Sequence, residues 1–361
     1  MGGPLRIGIV GVGTISAQYL ETMAGLKSLR LSAVADLDLA RARQVATEHG
    51  TVALTVPELL ASPDVDAVLN LTIPAAHVDI ALAALAAGKH VYTEKPFGLD
   101  TASARSVLDA RTGGLRVGSA PDTVLGTGIQ TARHALDDGL IGDAVGAAVH
   151  WSSAGHERWH PAPAFYYQPG GGPLLDMGPY YLTSLITLFG PVARVVGRAS
   201  RSSRRRTVAE GTLAGTEIAV DVDTHVTAIL EHRSGVTATV TMSFEEWATT
   251  APLFEVYGTA GTLAVPDPNQ FSAPVRAWTA SEQAWRELDV TAGYVGGGRG
   301  IGLADLAHAI GTDEPHRASA ELGFHVLEIM EAILLSSSSL STIELTSSPA
   351  RPTAVPLGDP R

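Results

Sequence analysis

The sequence predicts an α/β protein in two parts, a parallel sheet interleaved with helices and then a mainly antiparallel sheet. Three observations predict it. Ile7 to Ser16, IGIVGVGTIS, is an alternating apolar run that breaks at Gly11 and Gly13 and enters a helical pattern. From there to Asp122, short apolar runs alternate with helical stretches, the rhythm of parallel strands joined by crossovers. From Val192 to Val265, period-two runs follow one another without long helices between them, which favours antiparallel pairing.

Composition bounds the function. The chain has 361 residues, 45% of them hydrophobic, enough for two sizeable cores. A formal net charge of -12 argues against nucleic acid or an anionic membrane surface as partner. The absence of cysteine removes disulfides, thiolate zinc sites and cysteine nucleophiles together. The longest uncharged stretch, Met177 to Ala193, is broken by glycine and proline and is too short to span a bilayer. MGGPLR runs straight into the first strand without room for a signal peptide, so a cytoplasmic protein is expected.

The first turn carries the clearest chemistry. Gly11 turns without a Cβ, and Gly13 lets a diphosphate approach the main chain. Thr14 and Ile15 lead into a helix whose first N–H groups lack partners. Ser16 stands where a dinucleotide fingerprint has its third small residue. After helix Ala17–Leu26, the strand Leu31–Ala35 ends at Asp36, whose carboxylate suits ribose hydroxyls and repels a 2′-phosphate. This predicts NAD, with NADP as the alternative because Arg41 follows closely. Asp38 is the expected N-cap of helix Leu39–His49.

Thr51–Thr55, the PELLAS helix start and Ala67–Thr72 continue the alternation. Ile73-Pro74 ends the last of these strands at the sheet edge where ligands bind, which places Thr72, Pro74 and His77 beside the cofactor. His77 opens helix Val78–Ala87, closed by Gly88. Strand His90–Thr93 then runs into Glu94-Lys95-Pro96, a charged pair expected to face the crevice, with a cis Lys95-Pro96 bond as a further expectation. Arg116–Asp122 reads as the last strand of this part, with the boundary near Pro121. Asp122 and Thr123 fall at its lip, as ligand contacts or as turn and cap residues.

The second part opens with helix Gly128–Asp138 and strand Ala144–Ala154. Trp159 to Tyr181, WHPAPAFYYQPGGGPLLDMGPYY, combines aromatics that stack on rings with His160, Gln168 and a glycine run. Asp176 and Tyr180 lie one turn apart on a helix ending near Phe189 and share a face. Strands Val192–Arg198, Asp223–His232, Val236–Phe244, Leu253–Gly258 and Thr262–Val265 follow, with Ser234-Gly235 as a hairpin turn. RASRSSRRR, Arg198 to Arg206, reads as a solvated loop. GGGRGIG, Gly296 to Gly302, precedes helix Leu303–Gly311, and Arg299 is a candidate to reach the ligand. Helix Ser319–Leu335, a short IEL strand and a loosely ordered tail from Pro349 complete the chain. The expected domains are therefore 1–121 and 122–348, with a tail over 349–361. His150, His156 and His160 lack the supporting pattern of a metal site, and no metal is expected.

GVGTIS, IPAAHVDIALAALAAGKHVYTEKP and GGGPLLDMGPYY together resemble the glucose-fructose oxidoreductase and inositol dehydrogenase family, Gfo/Idh/MocA, over nearly the whole chain. The resemblance implies an N-terminal Rossmann domain with a doubly wound parallel sheet, and a C-terminal α/β domain with an open, mainly antiparallel sheet. It further implies a bound nicotinamide, homodimers or homotetramers formed through the outer face of the second sheet, and hydride transfer to or from a sugar, polyol or related cyclic compound. In the family the helix that carries Asp176 here supplies an aspartate and, four residues on, a proton-exchanging histidine. Here that position is Tyr180, as in some branches of the family. Lys95, Asp176 and Tyr180 are accordingly the expected catalytic residues. Tyr180 exchanges the substrate proton, Lys95 lowers its pKa by opposite charge, and Asp176 orients the lysine or a substrate hydroxyl. Tyr181 is the rival for the proton. Lys95, Asp122, His160, Asp176 and Tyr180 are the expected substrate contacts. A nicotinamide-dependent glycosidase and a non-catalytic cofactor sensor are the alternatives.

Overall fold

The computed structural model describes residues 3–360. They form two compact units, and the chain enters the first more than once. That unit takes the residues up to Thr127, then Ala292–Leu327, then those from Pro352 onward; the second takes Gly128–Thr291 and Glu328–Arg351. The single cut expected near Pro121 gives way to this returning path because the late segments carry core residues. Leu303, Leu306 and Ala318 pack with Ile7, Ile9, Tyr19, Leu69 and Tyr92.

In the first unit, strands and helices alternate as β1 (Leu5–Val10), α1 (Ser16–Ala24), β2 (Leu29–Ala35), α2 (Leu39–Glu48), β3 (Val52–Leu54), α3 (Val56–Ala61), β4 (Ala67–Asn70), α4 (His77–Ala86), β5 (His90–Thr93), α5 (Thr101–Asp109) and β6 (Val117–Ser119). The sheet order is β3-β2-β1-β4-β5-β6 with parallel pairing throughout. Order reverses between β1 and β4, so the carboxyl ends of those strands frame the crevice of a doubly wound fold. α2 starts at Asp38, whose side chain accepts from the N–H groups of Ala40 and Arg41 as expected. β6 is shorter than read, since Pro121 has no N–H with which to continue the ladder. Lys95-Pro96 and Ala120-Pro121 are both cis.

The tail also differs from expectation. Val355 is fully buried, the N–H of Gly293 donates to its carbonyl at 3.0 Å, and that of Val295 donates to Gly358 at 2.8 Å. Backbone pairing therefore ties these residues down.

The second unit begins with nearly all of α6 (Thr127–Asp137), followed by β7 (Ala144–Ser152), α7 (Pro173–Phe189) and β8 (Val192–Ser200). Eight further strands are β9 (Arg205–Thr207), β10 (Glu217–Ala219), β11 (His225–His232), β12 (Thr237–Ser243), β13 (Phe254–Gly258), β14 (Gly261–Ala264), β15 (Arg276–Thr279) and β16 (Trp285–Glu287). In the first unit α8 (Ile301–Thr312) follows, α9 (Ala320–Ser339) then leads into the second, and β17 (Ile343–Glu344) closes it. The large sheet runs β16-β15-β14-β13-β7-β12-β11-β8-β17, antiparallel except for β7 beside β12. β9 and β10 form a separate pair. α7 covers β7, β11 and β12, and β8 lies so close to α9 that a Cβ on Gly197 would sit 2.5 Å from the carbonyl oxygen of Ile333.

The basic run is a solvated loop only at its centre, where residues 201–204 are exposed between strands. Its first residues extend β8, and Arg206 on β9 is largely covered, paired with Glu157 and Glu245. Among the described residues, no helix is long and apolar enough to cross a membrane.

Candidate active site

The glycine turn is shaped for a diphosphate. Gly11 has φ +92°, and a Cβ there would lie 2.8 Å from the carbonyl of Leu71, so only glycine fits. At Gly13 a Cβ would meet nothing within 4 Å, which leaves open space over the main chain. No side chain caps the start of α1, so its N-terminal dipole faces that space with Thr14 and Ile15. The residues present fit a dinucleotide.

Asp36 sits half-buried beneath this turn. One carboxylate oxygen accepts from the N–H of Val12 at 2.8 Å and the other from that of Asp38 at 2.8 Å. The charge that would meet a ribose is thereby fixed to the turn that would meet the diphosphate. Arg41 is exposed and pairs with Asp38 at 3.6 Å, on its own helix.

At the end of β4, Thr72 donates its hydroxyl to Asn70 at 2.7 Å, and Pro74 opens a short 3-10 turn. His77 is buried, with Nδ1 at 2.7 Å from the carbonyl of Pro96 and Nε2 at 3.0 Å from that of Thr72. Burial lowers its pKa. Its ring therefore staples two edge loops together, where the sequence suggested a cofactor contact. Glu94 is likewise occupied, accepting the Tyr19 hydroxyl at 2.7 Å and the Lys95 N–H at 2.8 Å. This links the end of β5 to α1 and sets the half-buried Lys95.

Asp122 requires a correction. Expected at the lip as a substrate contact, it is 0% exposed, and one oxygen accepts from the N–H groups of Gly300 and Gly302 at 2.8 and 3.0 Å. It caps α8 across a long sequence gap, and burial pushes its carboxyl up to about 6. Arg299 in the same glycine loop donates to Gln18 of α1 at 3.0 Å.

In the second unit, Gly170 to Gly172 deliver the chain into α7. A Cβ on Gly171 would meet the Phe165 carbonyl at 2.5 Å. Asp176 and Tyr180 follow one turn apart on α7. Tyr181 is fully buried and donates to Asp267 at 3.1 Å, and burial with that carboxylate drives its phenol far above the ordinary range.

Asp176 meets a partner that sequence reasoning missed, His156, whose Nε2 lies 3.1 Å from its carboxylate. The pair spans an irregular segment with no periodicity to mark it. His160 accepts the Ala162 N–H at 3.1 Å, and its ring stands edge-on to Trp159, Phe165 and Tyr166. Trp159 and Phe165 are 56% and 54% exposed, so this aromatic pavement is open to a ligand. His150 is engaged by Glu246 at 2.6 Å. No group of three metal-ligating side chains occurs among the described residues.

Residues 5–115 match the family model described as the oxidoreductase family, NAD-binding Rossmann fold, and residues 129–264 match the GFO/IDH/MocA C-terminal domain. The chain belongs to the Gfo/Idh/MocA family. It is an NAD(P)-dependent oxidoreductase, as the resemblance implied. Trans-1,2-dihydrobenzene-1,2-diol dehydrogenase of Bos taurus is 31% identical over 269 residues, covering 73% of this chain and 75% of that protein. 1,5-Anhydro-D-fructose reductase of Ensifer adhaerens is 28% identical over 269 residues, covering 72% and 74%. Levoglucosan dehydrogenase, solved with NADH and L-sorbose, shares the fold with a TM-score of 0.82 at 20% identity, covering 96% of this chain and 100% of that one.

Proposed function

We propose that this enzyme moves hydride between NAD, in preference to NADP, and a secondary hydroxyl or the matching carbonyl of a sugar, polyol or related cyclic compound. The observation that carries the reading is the placement of Asp176 and Tyr180 one turn apart on α7, next to a Tyr181 that donates to Asp267.

The nicotinamide, when bound, supplies the hydride acceptor or donor. Gly11, Gly13, Thr14 and Ile15 hold the diphosphate, Asp36 takes the ribose hydroxyls, and Thr72 and Pro74 line the edge. Tyr180 takes the hydroxyl proton as hydride leaves, and returns it in the reverse direction. A phenol with its ordinary pKa near 10 is a weak base at neutral pH. Lys95 supplies the positive charge that favours the phenolate, and Asp176 orients the hydroxyl. Trp159, Phe165 and His160 offer ring faces and a polar edge to a cyclic substrate. Asp36 supports the NAD preference, because a 2′-phosphate would face its carboxylate while Arg41 is engaged by Asp38.

The relatives act, by name, on a dihydrobenzenediol and an anhydrofructose, which supports a cyclic substrate. A homodimer or homotetramer through the outer sheet face is part of the reading, since Val196 and Ile229 stand exposed there as cross-strand partners.

The test incubates the protein with NAD or NADP and levoglucosan, trans-1,2-dihydrobenzene-1,2-diol and inositol, and with NADH and 1,5-anhydro-D-fructose, following nicotinamide absorbance. Net change with NAD supports the reading. Release of sugar from a glycoside without net change would replace it with a glycosidase, binding without turnover with a sensor. Faster turnover with NADP would reverse the cofactor preference.

A further inference from the structure

We propose that His156 is a positioning residue for Asp176, donating its Nε2–H to the carboxylate and fixing the plane in which that carboxylate meets the substrate. The inference rests on the reading that Asp176 takes part in the reaction.

The geometry is closed around one bond. Nε2 lies 3.1 Å from Oδ2 of Asp176, with the two side chains 7% and 17% exposed. The imidazole is boxed by Phe244 and Tyr166 at 4.4 Å each and by Trp159 at 5.0 Å between ring centres. Nδ1 is buried among these rings and has no hydrogen-bond partner. An ionised carboxylate only accepts, so the ring proton belongs on Nε2. A second proton on Nδ1 would be a buried donor with nothing to receive it. The arrangement thus selects the neutral Nε2–H tautomer, which orients Asp176 without neutralising its charge.

The main chain that carries His156 is held from beneath. Its N–H donates to the Tyr167 hydroxyl at 3.0 Å, and that hydroxyl in turn donates to Glu157. Glu157 takes Arg206 at 2.9 Å, and Arg206 reaches Glu245 at 2.7 Å. Glu245 also accepts from Ser202 at 2.6 Å and from Thr224. Glycine is required just before, since Gly155 has φ +106° and a Cβ there would collide with the Glu157 carboxylate. Arg206 of the RASRSSRRR run therefore belongs to the scaffold of this pair. A histidine needed only to fill an aromatic box would not need its backbone pinned and its one polar contact spent on Asp176.

Two measurements test the proposal. In nitrogen-15 spectra of the intact protein at neutral pH, with the His156 resonance assigned by its loss in His156→Gln, the ring is expected as a single Nε2–H tautomer. In Asp176→Ala that preference is expected to relax toward a mixture. An Nδ1–H tautomer, an imidazolium, or a spectrum indifferent to Asp176→Ala overturns the proposal.

In kinetics with NAD and levoglucosan, or the fastest compound of the panel above, His156→Phe keeps the ring volume but removes the donor. It should lower kcat by about 10- to 100-fold with unchanged NADH affinity. His156→Gln, which restores an amide donor, should recover most of that loss. Equal loss in both variants, or wild-type kcat in His156→Phe, overturns the assignment. If the wild type neither oxidises nor reduces any compound of the panel, the hydride-transfer reading falls, and the tautomer measurement still decides whether His156 orients Asp176.

Discussion

Asp36, Asp122 and Asp176 each stand at the end of a strand or the start of a helix, and their oxygens are occupied differently. Asp36 is held by two backbone N–H groups but remains half-exposed, so it can still receive a ribose. Asp36→Ala should weaken NAD binding by about 10- to 100-fold and NADP binding less, narrowing the preference between them in fluorescence titrations. Equal losses for both would remove Asp36 from cofactor selection. The two tyrosines of α7 are expected to divide between chemistry and stability. Tyr180→Phe should drop turnover by about 100-fold or more with NADH affinity intact. Tyr181→Phe should leave turnover within a few-fold, while removal of the buried bond to Asp267 lowers stability by about 1–3 kcal/mol in denaturant melts. Reversal of these two phenotypes would make Tyr181 the proton carrier. Gly11, Gly13 and Asp36 were legible because their spacing is local and each type answers one need of a diphosphate or ribose. His156 was not, since its partner lies 20 residues away across an irregular segment. Asp122 looked like a lip residue because its partners are 178 and 180 residues distant.

At the scale of elements, long strands and helices announce themselves and short ones do not. β5 begins and ends where its apolar run does, and β11 and β12 were found within two residues at each end. β9, β10, β15 and β16 have three or four residues each, too few to display a period of two. The serines at the end of α9 read as a stop, yet they remain helical. Ser338 and Ser339 donate to the carbonyl of Leu335, while Ser336 accepts from the N–H of Gly197 on β8. That contact fixes Gly197, and Gly197→Ala should destabilise the second unit by about 1–3 kcal/mol, read as an earlier thermal transition. An unchanged transition would mean that α9 moves aside at no cost.

Asp122, the remote cap of α8, gives a pH signature. Its folded pKa, about 6, lies above the ordinary carboxylate value, so the folded state holds the proton more tightly than the unfolded one. Its contribution is therefore greatest below the unfolded pKa and is lost as pH rises through about 6. Wild type minus Asp122→Asn should show stability falling by about 2–3 kcal/mol between pH ~4 and ~6. A flat difference curve would mean that the carboxyl is ionised throughout.

Across the whole molecule, the returning chain decides what can fold. A parallel sheet buried on both faces needs helices on both, and part of that cover arrives late in the sequence. Leu303 and Leu306 of α8 are fully buried in the first unit's core with Tyr19 and Tyr92, and Gly302 lies so near the Tyr92 hydroxyl that a Cβ there would sit 2.2 Å from it. Burying two leucines contributes about 3–6 kcal/mol, a large part of a domain's usual net stability of about 5–15 kcal/mol. The late segments also bring the N–H groups that satisfy Asp122, and the N–H of Ser119 at the end of β6 donates to Ala318 at 2.9 Å. A fragment ending at Pro121 keeps the glycine turn, Asp36 and Lys95, so its local motifs are complete. It loses the leucines and leaves the end of β6 without its partner at Ala318. Such a fragment should bind a hydrophobic dye, unfold without a cooperative transition and fail to bind NADH. If it melts cooperatively and binds NADH with the affinity of the full chain, residues 292–327 contribute surface cover and not core, and the nucleotide unit is contiguous after all.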